Sequence, residues 1–474
     1  MNADEMALAC LDTHEARLVE IAKAIWDRPE VALQESYASR LLADELRQAG
    51  FTVDVGVGQM PTAFVASWGT GKPVIGILGE YDALPGLSQA ASAVREPVKE
   101  GAPGHGCGHN LLGAASLGAA LAAKEAMERK SLPGTIRLYG CPAEETLVGK
   151  VFMARAGVFD DLDAALAWHP GYTNSAGDAG STLAMNSFKV SFHGVAAHAA
   201  AAPHMGKSAL DGVMLMDVGV NYLREHVEED VRMHCVITDG GRAPNIVPSD
   251  AQAWYYVRAP RREQVGRVYE RMLDIAKGAA LMSGTTYDVD FLTGCYEVLP
   301  NSVIGRLMQA RMDALGAPEF TDEDMAFATL LQGTVSHEVL EMSVAQELRM
   351  AGRGVTRADL GETLCEKIIV PLETPFVSPG STEVGDVSQI APTGSLTTCC
   401  QPLGAPPHSW QVVAASGSGI GFRGMTLAAK ALALTALDLL TQPATLKAAR
   451  DEFEQSTGGK RYVTPLPEGA SPAA

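Results

Sequence analysis

The chain has 474 residues, 47% of them hydrophobic and 20% charged, which is long enough for two domains and typical of a soluble globular protein. Its formal net charge of −19 argues against a nucleic-acid partner, because phosphate binding needs clustered Lys and Arg. The eight cysteines have no C-x-x-C spacing, and the N-terminus has no basic segment, so we expect reduced thiols and a cytoplasmic protein. The longest run of small apolar residues, 113–123, is too short to cross a membrane.

The first part of the chain predicts alternating helices and strands. Apolar residues recur at helical spacing from Asp12 to Gly50, and the small-residue run after Asn110 predicts another helix. Short apolar strands are predicted at 62–68, 74–79, 135–140 and 164–168. This alternation predicts an α/β fold with helices on the faces of a sheet.

Polar side chains follow three of these strands at the point where each strand ends. Asp82 follows the second strand, Glu144 and Glu145 follow the third, and His169 follows the fourth. Open α/β sheets bind their ligands at the edge formed by the carboxyl ends of the strands. We therefore expect these side chains to lie close together in one site.

A glycine-rich stretch, Gly104–Asn110, precedes the small-residue helix and contains His105, Cys107 and His109. Glycine allows the backbone to fold tightly around an ion, and thiolate and imidazole are ligands that suit zinc and its neighbours. The stretch precedes a helix and can face the same edge of the sheet. Ordinary packing of a cysteine beside a histidine is the structural alternative.

The pattern changes near residue 183. The elements that follow are predicted in the order strand, helix, strand, strand, helix, strand, which is the order of a ferredoxin-like α+β domain. We therefore predict three parts: a first catalytic part at 1–183, an inserted lid domain at 184–299 and a second catalytic part at 300–474.

The last part of the chain is less informative. Residues 318–371 are rich in helix formers and acids, and we assign them no chemistry. Residues 374–407 are predicted to be loop because they are rich in Gly, Pro, Ser and Thr, and His408 follows them. The apolar run 425–440 predicts a helix that packs back on the sheet.

The candidate metal ligands exceed the needs of one ion. They are Cys107, His109, Glu145, His169 and His408. A tetrahedral zinc site takes four protein ligands at most, whereas two neighbouring ions bridged by a thiolate and a water would use all of these.

Several motifs, spread in order over nearly the whole chain, resemble those of one enzyme family. They are Leu78–Leu87, Gly106–Gly113, Pro142–Glu145, Ala167–Pro170, Gly194–Ala200, Asn245–Pro248 and His408–Ser409. The chain resembles the dinuclear-metal amidohydrolase and carboxypeptidase family of aminoacylases, hippurate hydrolases and auxin-conjugate hydrolases. The aminobenzoyl-glutamate hydrolases are the branch that it resembles most.

This resemblance implies a metallopeptidase-like catalytic domain, with a mixed sheet flanked by helices, and a ferredoxin-like domain that acts as lid and dimerisation domain. It implies that the five candidate ligands named above hold two divalent ions, zinc or manganese first and cobalt or nickel as alternatives. It also implies a homodimer joined through the lid, and a second, different subunit is possible.

The resemblance also implies roles for residues that do not bind metal. Glu144 would be the general base, and Asp82 would orient a ligand imidazole. His198 and Asn245 of the lid would reach into the active site, partly from the partner subunit. A substrate carboxylate would bind Asn245 or Arg258, although Arg258 has the alternative of pairing with lid carboxylates.

The sequence departs from the wider family at two positions. Asn110 stands where many relatives have Asp, and Glu80-Tyr81-Asp82 stands where many have Arg-Ala-Asp or His-x-Asp. Both departures change the charge expected around the metal ligands and leave the identity of the metal open.

The resulting hypothesis is metal-dependent hydrolysis of an amide bond in an N-acyl amino acid, aminobenzoyl-glutamate or a similar small amide or dipeptide. The metal-activated water would be the nucleophile and Glu144 the general base. One alternative is a cysteine hydrolase with Cys107 as nucleophile and His109 or His105 as base. Another is a non-catalytic metal-binding subunit of a hetero-complex.

Overall fold

The computed structural model describes residues 1–177 and 180–473. The α-helices are, in chain order, α1 (Ala3–Trp26), α2 (Ser36–Gln48), α3 (His109–Lys130), α4 (Gly149–Arg155), α5 (Ala209–Leu223), α6 (Arg262–Ser283), α7 (Ser302–Leu315), α8 (Asp322–Gln332), α9 (His337–Met350), α10 (Arg357–Leu360), α11 (Val384–Ser388), α12 (Trp410–Ser416), α13 (Gly419–Thr441) and α14 (Pro443–Thr457). The β-strands are β1 (Thr52–Val55), β2 (Phe64–Thr70), β3 (Val74–Glu80), β4 (Gly134–Cys141), β5 (Ala164–Gly171), β6 (Ser175–Gly177), β7 (Gly180–Ser181), β8 (Ala184–His193), β9 (Arg232–Asp239), β10 (Asp250–Ala259), β11 (Thr286–Cys295), β12 (Phe376–Val377) and β13 (Thr393–Cys399).

The larger sheet has seven strands in the order β1-β2-β4-β3-β5-β13-β6. Strands β4, β3, β5 and β13 are mutually parallel, and the flanking strands pair antiparallel. Helices α1, α3, α7 and α13 pack on one face and α4 and α11 on the other. All seven residues of β3 are buried, as parallel strands covered on both faces require. The predicted mixed α/β sheet flanked by helices is confirmed.

A second sheet contains four antiparallel strands in the order β11-β8-β10-β9, with α5 and α6 packed against it. Its core includes Phe188 and Tyr255, whose rings stack with centroids 5.7 Å apart. The strand order and the two helices form a ferredoxin-like α+β unit, which confirms the predicted fold class of the inserted segment. We call this unit the lid.

The helix predicted from Asp12 to Gly50 is two helices. Helix α1 ends at Trp26 and α2 begins at Ser36, and the prediction of one continuous helix was wrong. Pro29 lies in the connection, where its ring removes a backbone donor and restricts the preceding residue. The break positions the start of α2 beside the loop that follows β4, because Ala143 N donates to Glu35 Oε1 at 2.8 Å.

The predicted loop at 374–407 contains a strand of the large sheet, and this prediction was therefore wrong in part. Strand β13 pairs parallel with β5 and is flanked by β6 on its other side. Its glycine and hydroxyl residues hide it from a search for apolar runs. Small residues are needed there because α7 packs closely: a Cβ at Gly394 would lie 2.3 Å from Ile304 Cγ2.

Two further segments complete the molecule. Helices α8, α9 and α10 fold from the acid-rich segment 318–371 and share a small core with Tyr172 and Cys399. Helix α13 is long and apolar enough to cross a membrane, but 83% of its most apolar window is buried inside the protein. It is a core helix packed against the sheet, as the apolar run predicted.

Candidate metal centre and active site

The five candidate ligands come from separate parts of the chain and meet at the carboxyl edge of the large sheet. Cys107, Glu145, His169 and His408 line a cavity of about 740 Å³, and His109 is fully buried behind them. The ligand atoms form two groups, each with all its atoms within 4.8 Å of one another. One group is Cys107, His109 and His169, and the other is Cys107, Glu145 and His408. Cys107 belongs to both, so the arrangement has the form of two neighbouring cation sites with a shared thiolate.

The backbone of the glycine-rich loop presents the first two ligands. Gly108, at φ 78°, is the residue before α3, and α3 begins at His109. The loop packs too closely for side chains, since a Cβ at Gly104 would lie 2.2 Å from the carbonyl oxygen of Leu87. This tight turn places Cys107 and His109 together at the start of a helix, where a bulkier sequence would not fit.

Asp82 uses both of its oxygens to orient ligands. Its Oδ1 lies 2.8 Å from His109 Nδ1, and its Oδ2 accepts the backbone N–H of Glu145 at 2.9 Å. His109 Nδ1 therefore carries the proton, and Nε2 faces the cluster as a lone pair. His109 in turn lowers the pKa of Asp82 against the opposing effect of burial, so this carboxylate stays ionised.

Replacing Asp82 with asparagine should lower metal affinity by about 10–100-fold, since outer groups that orient metal ligands typically contribute that much. The amide offers only one acceptor for two N–H groups, so either His109 or Glu145 loses its support. Competition with a chromophoric chelator measures the affinity. The exposed Asp54→Asn variant is the matched control, and an Asp82→Asn affinity equal to that of this control would contradict the assigned role.

His169 and His408 approach the cluster from strand β5 and from the loop after β13. His169 Nδ1 lies 2.7 Å from the carbonyl oxygen of Pro170, which only an N–H can satisfy, and its Nε2 lies 3.3 Å from Cys107 Sγ. His408 Nε2 lies 3.5 Å from Glu145 Oε2. His408 is one of the few non-glycine residues with positive φ, 55°, a conformation that histidine tolerates better than most residues. Both imidazoles thus present a free nitrogen to the cluster.

The chemistry of this donor set fits divalent cations. His109 Nε2 and Glu145 Oε1 are buried without a hydrogen-bond partner in the described part of the chain. Burial, followed by His109, lowers the pKa of both His169 and His408, so both are neutral and able to bind a metal. Cations in the two groups would satisfy the unpartnered atoms, which is the condition that a buried donor needs.

The acids of the cluster are crowded in the absence of a positive charge. Burial raises the pKa of Glu145 to about 7. Burial, followed by repulsion from Glu80, raises the pKa of Glu144 to about 8. Burial also raises the pKa of the Cys107 thiol to about 12. Each of these groups would ionise more readily beside a divalent cation.

A buried lysine compensates the carboxylate next to this cluster. Lys150 Nζ lies 2.6 Å from Glu80 Oε1 and 3.2 Å from Glu383 Oε1, and all three side chains are 5% exposed or less. The other oxygen of Glu80, Oε2, lies 3.4 Å from His109 Nε2. The departure at Glu80 is thus balanced by Lys150. Sequence reasoning missed Lys150 and Glu383, although a lone lysine within an apolar stretch was a usable signal.

Two residues of the glycine-rich stretch lie apart from the ligands. His105 Nε2 lies 3.2 Å from the carbonyl oxygen of Ile25, and burial lowers the pKa of His105 to about 3. Asn110 Nδ2 donates to the carbonyl oxygens of Ala22 and Ser416. Two facing carbonyls need a donor, so an acidic Asp would be repelled there. The Asn110 departure therefore serves packing, and His105 does not belong to either ligand group.

The predicted lid residues divide into two sets. Arg258 of β10 lines the metal-ligand cavity, together with Tyr256, whose ring centroid lies 5.4 Å from the guanidinium carbon. His198 and Asn245 are exposed neighbours on the lid, joined by the Ala199 N–H that donates to the carbonyl oxygen of Asn245. Neither of them lines the cavity within this single chain.

Comparison with known proteins gives consistent relatives. Residues 184–281 match a family described as a peptidase dimerisation domain. The chain is 42% identical over 472 residues to one of the two kinds of subunit of the p-aminobenzoyl-glutamate hydrolase of Escherichia coli K12, covering 98% of this chain and 97% of that one. It is 30% identical to human Xaa-Arg dipeptidase, covering 96% and 92%. A Bacillus subtilis crystal structure described as a dinuclear metal binding peptidase from the M20 family shares the fold, with a TM-score of 0.52, 16% identity and coverage of 89% and 99%.

Proposed function

The chain belongs to the M20 family of peptidases and amidohydrolases, and we propose that it hydrolyses the amide bond of a small substrate with the help of two divalent metal ions. The substrate class is an N-acyl amino acid, aminobenzoyl-glutamate or a similar amide or dipeptide. One observation carries the proposal: two candidate ligand groups share Cys107 and open, beside Glu144, onto one substrate-sized cavity.

Cys107, His109 and His169 would hold one ion, and Cys107, Glu145 and His408 the other. Zinc and manganese are the first candidates, with cobalt and nickel as alternatives, because the donors mix thiolate, imidazole and carboxylate. When bound, such ions lower the pKa of a water molecule and polarise the substrate carbonyl.

Glu144 is placed to move the proton. Its Oε2 lies 3.9 Å from His109 Nε2, at the rim of the ligand cluster, and it lines the cavity. The water oxygen bonds to the amide carbon, Glu144 accepts the proton of the water, and the carbon–nitrogen bond breaks as Glu144 passes that proton to the departing nitrogen. The pKa of about 8 that burial and Glu80 give Glu144 favours this shuttle near neutral pH.

The lid supplies the remaining groups in this proposal. Arg258 is available to a substrate carboxylate at the cavity wall. His198 would stabilise the oxyanion, with Asn245 beside it, from the lid of a second copy of the chain, since neither reaches the cavity of its own chain. A homodimer joined through the lid is the assembly that this requires, and the dimerisation-domain match supports it. A different second subunit is the alternative.

A cysteine hydrolase is the second candidate, because Cys107 Sγ lies 3.3 Å from His169 Nε2. A nucleophilic cysteine needs a lowered pKa, whereas burial raises that of Cys107 to about 12. The two reactions also differ in what they need, since a thiolate nucleophile works without a cation.

The experiment is an amidase screen of the purified chain, with elemental analysis of metal in the same sample. The substrates are p-aminobenzoyl-glutamate, a set of N-acyl amino acids and a set of dipeptides, and the released amino acid is measured. We expect hydrolysis that stops on chelation and returns on adding zinc or manganese. Hydrolysis that survives complete removal of metal would favour the cysteine mechanism. Bound metal without hydrolysis of any amide would favour a non-catalytic subunit of a hetero-complex.

A further inference from the structure

The segment 318–371 supplies part of the wall of the metal-ligand cavity. Glu347 and Met350 of α9, with Ala351 and Ile369 beyond it, line the same cavity as Glu144 and the ligands. Most of this wall is apolar, and Glu347 is its acidic group. The segment for which the sequence indicated no chemistry therefore places a carboxylate in the space where the substrate would bind.

Glu347 has no cationic partner in the described part of the chain. No lysine, arginine or histidine nitrogen there lies within 4 Å of its carboxylate, and its own segment's basic residues are engaged elsewhere. Arg349 donates to the carbonyl oxygen of Ala345, Arg357 pairs with Glu341, and Lys367 pairs with Asp359. Burial raises the pKa of Glu347 to about 7, and Thr173 opposes this effect only in part. A half-buried, uncompensated carboxylate of this kind gains from any cation that enters the cavity.

Arg258 is the corresponding unpaired cation. Its Nε is buried without a hydrogen-bond partner, and no carboxylate lies within 4 Å of its guanidinium in the residues that the structure describes. Arg258 and Glu347 do not pair with each other although both line the cavity. The cavity thus presents one free positive group and one free negative group in addition to the metal ligands.

We propose that Glu347 is a specificity residue that binds a positively charged group of the substrate, while Arg258 binds a carboxylate. This inference rests on the proposed amide hydrolysis and narrows its substrate class. The preferred amides carry both a carboxylate and an ammonium or guanidinium group, as amides of basic amino acids do. A neutral group of the same length leaves Glu347 buried without a partner, and that loss is what discriminates against it.

The test compares substrates that differ only in the cation. N-benzoyl-lysine and N-benzoyl-norleucine place the difference on the amine side of the amide, and 6-aminohexanoyl-glycine and hexanoyl-glycine place it on the acyl side. In metal-replete enzyme we expect one cationic member to have a kcat/KM about 10–100-fold above that of its neutral partner, the range of hydrogen bonds to charged groups. Glu347→Gln should remove this preference and leave the neutral substrate within a few-fold of wild type.

The matched control is Glu338→Gln, an exposed glutamate in the same helix. Binding gives a readout that does not depend on turnover: calorimetry with 6-aminohexanoate and hexanoate should show a preference for the former in wild type and none in Glu347→Gln. Hydrolysis of both members of each pair at equal rates, unchanged in Glu347→Gln, would overturn the inference and leave the proposed amide hydrolysis standing. A wild-type enzyme without turnover but with the Glu347-dependent binding preference would uphold the inference and reject the reaction. Absence of both turnover and binding preference would reject both.

Discussion

Replacing Glu144 with glutamine should lower kcat for amide hydrolysis by about 10²–10⁴-fold, the range that general acid–base groups contribute. Glutamine keeps the size and the hydrogen-bonding reach of the side chain but can neither accept the proton of the water nor deliver it to the leaving nitrogen. The metal ligands are untouched by the change, so the bound metal should stay at the wild-type level. Steady-state kinetics and elemental analysis of one preparation measure both quantities.

Glu366→Gln is the matched control, because Glu366 is an exposed glutamate outside the cavity lining and its loss should leave kcat unchanged. A Glu144→Gln enzyme with full metal content and near wild-type kcat would show that another group carries the proton. A Glu144→Gln enzyme that loses metal would instead assign Glu144 to the ligand set, together with Glu80 and His109, whose atoms lie within 4.8 Å of it.

Replacing Lys150 with methionine should lower the free energy of unfolding by about 3–5 kcal/mol, the typical loss when one partner of a buried ion pair is removed. Methionine fills a similar volume but leaves Glu80 and Glu383 buried together without a cation. Burial raises the pKa of Glu383 well above its usual value even with Lys150 opposing the shift, so little compensation remains once the lysine is gone. Urea denaturation followed by circular dichroism measures the change.

Two further variants separate charge from packing. Lys447→Met removes a lysine that is 74% exposed and pairs with Asp451, so it should cost less than about 1 kcal/mol. Adding Glu383→Gln to Lys150→Met removes one of the stranded acids and should restore part of the lost stability. If Lys150→Met is as stable as Lys447→Met, the ion triad does not contribute to the fold in the way described.

The consequences of Lys150 extend to the ligand cluster. Glu80 connects the two, since one of its oxygens contacts Lys150 and the other lies 3.4 Å from His109 Nε2. Without the lysine, the full charge of Glu80 acts on His109 and on Glu144. We therefore expect Lys150→Met to change metal affinity as well as stability, which the exposed control will not do.

Most of the candidate site was predictable because its residues carry local signals. Asp82, Glu144 and His169 each follow an apolar strand, and parallel strands bring such positions to one edge whatever the rest of the chain does. Cys107 and His109 lie in a glycine-rich turn before a helix, where only glycines avoid close contacts. The lid followed from element order alone, since alternating strands and amphipathic helices leave few arrangements.

The wrong predictions have a common origin in packing. Strand β13 has the composition of a loop, yet it lies inside the sheet because Gly394 allows α7 to approach at that point. The helical stretch 12–50 has one continuous apolar period, yet the connection around Pro29 divides it. His105 has the residue type of a ligand but bonds the backbone of α1.

The sequence by itself determined the order of the elements, the ends of the strands and the types of donor that the site contains, because these depend on residues adjacent in the chain. Only the tertiary structure decided which charges meet. Lys150 and Glu383 are 233 residues apart in sequence, and Glu347 reaches the cavity from a helix with no recognisable motif. The physical reason is that the energy of a buried charge depends on its neighbours in space, and no pattern of spacing along the chain records them.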